Sequence, residues 1–381
     1  MSVGILTSGG DAPGMNAGVR AVFRSIKMRE PNREIVFFRG GFRGLARKLD
    51  SSTDRNVQRQ ETRGIIHRGG TFLGTGRVPE LKVPSESAPD RVAQLAAHEA
   101  FLRVAAVNLY QMDVSDLVVI GGDGSFRGAR LIARHFRETF PDRPFRVIGI
   151  PGTIDNDIWG SDYSIGFDTA LNNVVDAIRK IRDTVESHKR VIILEVMGNT
   201  SGWLALQSAI AGGASVVAIP EVPASHDHEH IVRRLISGAE RDYRYFIIVY
   251  AEGVAKQHGD GWAQGLRRRI ESDPSLRRLH GGAPMEVRLN SIGHLARGGS
   301  PSALDNTLAG LLGTAAADVI LQGQLPGGPA LEGDVMVGCE GPRAVAHALD
   351  EVVERSPRLV TEDSPLFRIA QNLMLSAEQP F

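Results

Sequence analysis

The stretch Pro151-Gly152-Thr153-Ile154-Asp155-Asn156-Asp157 decides how this chain is read. It follows residues 145–150 (FRVIGI), a run rich in β-branched and aromatic side chains that reads as a buried strand. Proline ends such a strand, glycine lets the backbone turn, and two carboxylates, Asp155 and Asp157, then stand two residues apart. Acids at the carboxyl end of a parallel strand sit where open α/β sheets hold their ligands. A pair so spaced can divide the labour, one taking a proton from a hydroxyl while the other holds a metal or orients its partner. Taken alone, Asp-Asn-Asp is equally an ordinary solvated turn.

A second stretch tips the balance. Residues 117–120 (LVVI) form a short apolar run, followed by Gly121-Gly122-Asp123-Gly124-Ser125 and a helix-like segment to about 140. Strand, glycine turn and helix together aim backbone N–H groups at an anion. An acid inside that turn repels phosphate, so Asp123 reads as a ligand to Mg²⁺ bridging phosphates; the bland alternative is a tight left-handed turn with a solvated acid. A third glycine turn, Thr7-Ser8-Gly9-Gly10-Asp11, follows an opening strand at 3–6 and precedes a helix beginning near Asn16. Three glycine turns at three strand ends point to a nucleotide-phosphate site.

The rest of the chain sets the frame. Its 381 residues allow one large or two medium domains. Lys+Arg and Asp+Glu balance at 44 each, so no global field calls for nucleic acid or a membrane. A single cysteine, Cys339, excludes an internal disulfide and suits a reducing compartment. The Gly-rich start lacks the pattern of a signal peptide or a spanning helix, which reads as cytoplasmic. Strands are expected at 35–38, 117–120, 145–150, 191–196, 216–219, 246–251, 287–292 and 334–338. Helices are expected at 16–27, 169–186, 203–211, 229–241, 305–322 and 342–354. That alternation is the mark of βαβ units, hence parallel sheets with helices on both faces. Residues 63–82 read as loop, 83–90 as a polar excursion, and 255–284 as an insertion whose arginines suit a solvated helix face. Arg288, His294 and Arg297 bring three cations within ten residues, a spacing that fits a grip on a sugar phosphate.

Six motifs in order, TSGGDAPGMNAGVR near the start, RGGTFLGTGR at 68–77, GGDGS at 121–125, PGTIDNDI at 151–158, EVMG at 195–198 and GHLARGGSP at 293–301, span roughly residues 1–350 and resemble the phosphofructokinase family. The resemblance implies an α/β fold of two doubly wound parallel-sheet domains. It divides them as 1–165 plus about 297–345 for the nucleotide, and about 166–296 plus 346–381 for the sugar phosphate. It implies an ATP-dependent phosphotransferase of glycolysis, with Asp155 as base, Asp157 assisting, and Thr153 and Arg77 at the transferring phosphoryl group. Gly10, Arg77, Val78, Asp123, Gly124, Ser125, Phe126 and Gly128 then correspond to the ATP and Mg²⁺ positions. Arg190, Met197, Gly198, Asn199, Glu252, Arg288, His294 and Arg297, with Thr153 and Asp155, correspond to the ketose-phosphate positions. The family usually supplies Arg190 and Arg288 from a neighbouring subunit, which implies a homo-oligomer, most often a tetramer. Members that use pyrophosphate carry a bulkier acid at position 124 and a lysine at 152; glycine at both leaves room for ATP.

Two departures stand out. The family motif EVMGR ends in an arginine on the transferring phosphoryl group, whereas here the residue is Asn199. Losing that contact costs on the order of 2–4 kcal/mol of transition-state stabilisation unless another cation substitutes. Fructose 6-phosphate is thus the expected acceptor, with another ketose phosphate, or a regulatory homologue of little activity, as alternatives. Arg20, Arg24, Arg59 and Arg182 match effector positions, but the acid that completes that pocket is replaced by Ser215. Arg20 and Arg24 equally suit an exposed helix face. NAD kinases share GGDG without the later motifs. A dinucleotide-dependent oxidoreductase lacks support because no G-x-G-x-x-G follows the first strand.

Overall fold

The computed structural model describes residues 1–47, 62–87, 90–259 and 261–376. Its strands, in chain order, are β1 (Ser2–Thr7), β2 (Ile35–Phe37), β3 (Val114–Gly121), β4 (Arg146–Pro151), β5 (Val191–Val196), β6 (Val216–Ala218), β7 (Phe246–Ala251), β8 (Val287–Ser291), β9 (Val335–Glu340) and β10 (Arg343–Ala348). They form two sheets, ordered β10-β9-β4-β3-β1-β2 and β6-β7-β5-β8. The chain divides into two compact units. The first comprises Met1–Ile154, Ile158–Asp168 and Arg297–Pro357; the second comprises Asp155–Asp157, Thr169–Ala296 and Arg358–Phe381.

In the first unit, β1 pairs in parallel with both β2 and β3, and β3 pairs in parallel with β4. Every residue of β3 is buried, because a central parallel strand is covered on both faces. The chain winds away from β1 in one direction to β2 and in the other to β3, so the switch point lies between β1 and β3. Two glycine turns leave the carboxyl ends of those two strands. The helices Met15–Arg29 and Ala303–Gln322 pack closely: a Cβ on Gly313 would stand 2.6 Å from the Ala21 Cβ and 2.9 Å from the Gly18 carbonyl oxygen. An ion pair between Arg29 and Asp318 joins the same two helices. Ala303–Gln322 is long and apolar enough to cross a membrane, but 61% of its apolar stretch is buried inside the protein, which makes it a core helix.

The second unit's sheet is wholly parallel, with β5 between β7 and β8 and β6 on the outside of β7. The insertion after β7 folds as three helices, Glu252–His258, Trp262–Ser272 and Pro274–Leu279. Two of its arginines are paired with acids: Arg269 bonds Glu229 and Asp273, and Arg267 bonds Glu271.

Two elements differ from the sequence reading. The helix expected at 342–354 is instead β10, antiparallel to β9, followed by a helix confined to Leu349–Arg355. Gly341, at φ 54°, makes the tight return, and the alternating RAVAHA pairs as an edge strand. The helix Arg91–Gln111 was not expected, because its first two turns are largely exposed and dilute the apolar stripe of Leu102, Ala105 and Leu109. Its Asn108 amide donates to the carbonyls of Leu45 (2.6 Å) and Arg47 (2.8 Å), a satisfaction only the fold supplies.

The closest helix contact is testable. Gly313→Ala places a methyl inside the Ala21 and Gly18 contacts and is expected to lower stability by about 1–3 kcal/mol in urea unfolding.

Candidate active site

In the first unit, three chain segments meet at the carboxyl ends of β1, β3 and β4. The Ser8 amide donates to the Ile120 carbonyl at 3.0 Å, and the Gly152 amide donates to the Gly121 carbonyl at 2.9 Å. Gly121 must be glycine, since a Cβ there would stand 2.5 Å from the Ser125 Oγ and 2.7 Å from the Ser8 carbonyl oxygen. Gly122 has φ −94°, so the bland left-handed turn does not form; the helix Asp123–Thr139 starts directly and leaves its first amides at the sheet edge. Asp123 stands in that first turn, half-buried, and accepts from Arg127 Nε at 2.9 Å. Gly124 is exposed, and a Cβ added there meets nothing within 4 Å. Thr153 lies against the turn, its Cβ 3.5 Å from where a Gly122 Cβ would stand.

The 68–77 loop is strapped to the first glycine turn. Asn16 donates to the Arg68 carbonyl (2.9 Å) and accepts from the Phe72 amide (2.7 Å). Thr75 Oγ1 donates to the Gly9 carbonyl at 3.0 Å, and Thr7 Oγ1 to the Gly74 carbonyl at 3.0 Å. Arg77 emerges from this loop exposed, while Val78 packs against the core. Arg297 Nη1 donates to the Asp11 carbonyl at 2.8 Å and sits 2.9 Å from where a Gly10 Cβ would be, so the guanidinium lies over this glycine. Arg297 is part of the first unit, whereas Arg288 and His294 are part of the second. Phe126 and Gly128 face the core: Phe126 is fully buried against Gly149, and Gly128 abuts Leu81 and Phe42.

The chain passes into the second unit at Asp155. Asn156 adopts φ 51°, a left-handed turn that asparagine tolerates better than most residues. Three outside donors hold the turn. Ser201 Oγ donates to the Asp155 carbonyl at 3.0 Å, Arg358 Nη2 to the Asn156 carbonyl at 3.2 Å, and the Arg358 amide to the Asp157 carbonyl at 2.6 Å. Asp155 is half-buried and Asp157 buried. Trp203 Nε1 donates to the Arg358 carbonyl at 2.8 Å and fixes the clamp in turn. Behind it, one oxygen of Glu221 accepts from the Gly202 amide (2.8 Å) and the Val360 amide (3.2 Å). Burial pushes the Glu221 carboxyl above its ordinary value, against these N–H bonds, which pull it down.

The remaining candidates of the second unit separate to opposite edges of its sheet. Met197, Gly198 and Asn199 follow β5, and Glu252 follows β7, all at the carboxyl edge. His294, exposed in the turn after β8, lies at the same edge. Glu195 ties these strands, accepting from Tyr250 Oη (2.7 Å) and Ser291 Oγ (3.0 Å). Burial, then the Glu195 hydrogen bond, pushes the Tyr250 hydroxyl pKa far up. Arg190 and Arg288 stand instead at the amino edge, where both pair with Glu286. The six residues of β5, about 20 Å, separate Arg190 from the carboxyl edge, and Arg288 stands opposite Ile192 near the same amino end.

The sequence profile described as Phosphofructokinase matches residues 2–320. The chain belongs to the phosphofructokinase family. A Bacillus pumilus protein named ATP-dependent 6-phosphofructokinase is 40% identical over 374 residues, covering 98% of this chain and 99% of its own. The solved phosphofructokinase of Saccharomyces cerevisiae is 27% identical with a TM-score of 0.77, over 98% of this chain and 49% of the yeast chain, so this chain spans about half of that one. A Marinobacter aquaeolei structure named pyrophosphate-dependent phosphofructokinase is 21% identical with a TM-score of 0.74, over 100% of this chain and 94% of that one; this likeness speaks for the fold alone.

Against this phosphofructokinase fold, Arg20 and Arg24 prove half-buried, each with a buried Nε that lacks a hydrogen-bond partner among the described residues. Burial first and the Arg24 charge second lower the Arg20 pKa. Arg182 donates to the Gly213 carbonyl at 2.8 Å, the Ser215 Oγ accepts from the Ile247 amide at 3.1 Å, and Arg59 lies outside the described residues. The sequence reading missed Ser201, Glu221, Lys256 and Arg358. Arg358 comes from a tail without motifs, and its role depends on backbone carbonyls some two hundred residues away, which leave no trace in local pattern.

Glu221 yields a signed prediction. A carboxyl whose folded pKa is raised stabilises fully below its unfolded value of about 4.3, and that contribution is lost as pH rises through the folded value. Glu221→Gln keeps an acceptor for both amides without the buried charge. The stability of Glu221→Gln minus wild type, from urea unfolding between pH 4 and 8, is expected to grow as pH rises and then level off.

Proposed function

We propose that this chain is an ATP-dependent 6-phosphofructokinase, transferring the γ-phosphoryl group of MgATP to the 1-hydroxyl of fructose 6-phosphate to give fructose 1,6-bisphosphate and ADP, as a cytoplasmic enzyme of glycolysis. The observation that carries the reading is the Asp155-Asn156-Asp157 turn, its carbonyls held from outside so that the backbone bearing two carboxylates is fixed. The naming of relatives 40% identical over nearly the whole chain supports it. Asp155 takes the proton of the 1-hydroxyl as its oxygen bonds to the γ-phosphorus. The bond from that phosphorus to the β–γ bridging oxygen breaks, and ADP leaves with the electron pair. Asp157 assists with metal and charge, and Thr153 and Arg77 contact the moving phosphoryl group.

The first unit takes the nucleotide. Gly10, Gly124 and Ser125 line the phosphates at the helix start, with Val78, Phe126 and Gly128 forming the supporting wall. Among the described residues no group of three or more His, Cys, Asp or Glu is placed to hold a metal ion. A lone half-buried carboxylate at a helix start, Asp123, fits Mg²⁺, which keeps its waters and takes further ligands from phosphates. Mg²⁺ bound there neutralises charge on the β- and γ-phosphates. The open space beside Gly124 favours ATP as donor, because even a Cβ there would meet nothing within 4 Å.

The second unit takes the sugar phosphate. Met197, Gly198, Asn199, Glu252 and His294 receive it at the carboxyl edge, and Arg297 is the sugar-phosphate candidate that the family resemblance adds from the first unit. Arg190 and Arg288, paired with Glu286 toward the amino edge, serve the sugar phosphate of a neighbouring copy. That division makes the active form a homo-oligomer with shared sites, in the arrangement of a tetramer. Asn199 favours one second reading, a kinase of another ketose phosphate such as sedoheptulose 7-phosphate.

Steady-state assays with ATP or pyrophosphate against both ketose phosphates test the proposal; turnover with neither sugar would sink it. Asp155→Asn is expected to cut kcat by about 10²–10⁴ while the fold melts normally. Gly124→Glu is expected to raise KM for ATP at least tenfold and to spare pyrophosphate, read in the same assay.

A further inference from the structure

The proposed reaction leaves one position short of charge. Asn199, after the MetGly turn at the end of β5, is neutral, yet it is held by a cation. Lys256 Nζ donates to the Asn199 Oδ1 at 2.6 Å and to the Glu252 Oε1 at 3.1 Å. The Glu252 contact alone is an ordinary i,i+4 pair on an exposed helix, worth little. The Asn199 contact differs, because it spans 57 positions and rests on a fitted backbone. The helix Glu252–His258 begins where β7 ends. The Gly253 amide donates to the Gly198 carbonyl at 2.9 Å, and a Cβ on Gly253 would stand 2.6 Å from the Asn199 carbonyl oxygen. Glycine at 253 thus seats the helix directly on the turn, and Lys256 follows one turn later, over Asn199. Two residues beyond Asn199, Ser201 holds the carbonyl of Asp155. The ammonium therefore belongs to the same turn that fixes the base.

We infer that Lys256, steered by Asn199, is the cation that stabilises the phosphoryl group in transfer. An ammonium has three donors. Two are spent on Asn199 and Glu252, and the third is open to an oxygen of the phosphoryl group. Asn199 is the acceptor that aims the lysine; it carries no charge of its own to lose. This rests on the proposed phosphoryl transfer.

The test is kinetic, on the full-length protein with MgATP and fructose 6-phosphate, comparing wild type, Lys256→Met, and Lys256→Met combined with Asn199→Arg. Melting temperatures of all three check folding. Lys256→Met is expected to lower kcat about 10²-fold with KM for the sugar changed less than about threefold, as for an interaction made in the transition state. Adding Asn199→Arg is expected to restore at least tenfold of the loss, by returning a cation to the turn. An unchanged kcat, a loss confined to KM, or a double variant no faster than Lys256→Met overturns the assignment. A wild type inactive with every ketose phosphate and donor overturns the reaction, and this assignment with it.

Discussion

The chemistry of the second unit depends on a few hydrogen bonds to main-chain oxygens. A non-glycine residue at positive φ stores roughly 1–3 kcal/mol of strain and persists only where its surroundings over-determine it. At Asn156 they do: Arg358 holds the carbonyls of Asn156 and Asp157, and Ser201 holds that of Asp155. The donors have supports of their own. Trp203 bonds the Arg358 carbonyl, and Glu221 bonds both the Gly202 amide and the Val360 amide. The backbone that carries the two acids is thereby fixed through its carbonyls.

The first unit reaches fixity by a different route, close backbone approach. Gly121 lacks a side chain because Ser125 and the Ser8 carbonyl occupy the space a Cβ would need. The turns after β1 and β3 can therefore lie against one another at the switch point of the sheet, where the helix dipole favours anions. Gly124 stands apart from Gly121, since nothing crowds it. Its lack of a side chain has no packing cause within the described residues, which fits a position kept clear for a ligand.

Substitution within this frame is local. Position 199 carries no positive charge, yet the helix seated on its backbone brings an ammonium to its side chain. A charge-bearing group can migrate between neighbouring elements when both emerge from the same sheet edge, because parallel strands deliver their carboxyl ends to one place.

The sequence by itself determined the layered α/β architecture and the candidate acids. Strand-forming runs ending in glycine turns are local signals, and PGTIDND, GGDGS and TSGGD each announce their geometry within a few residues. Local signals failed where pairing or burial decided the matter. RAVAHA became an edge strand because β9 was there to pair with it, and the helix Arg91–Gln111 exposes too much of its first half to show a clean stripe. The tertiary structure alone decided that Arg297 leans on Asp11, that Arg190 and Arg288 face away from Met197 and Glu252, and that Arg358 and Lys256 hold the two critical turns. Those contacts join residues distant in the chain through a backbone carbonyl or a single side chain, and nothing in the spacing of either partner encodes the other.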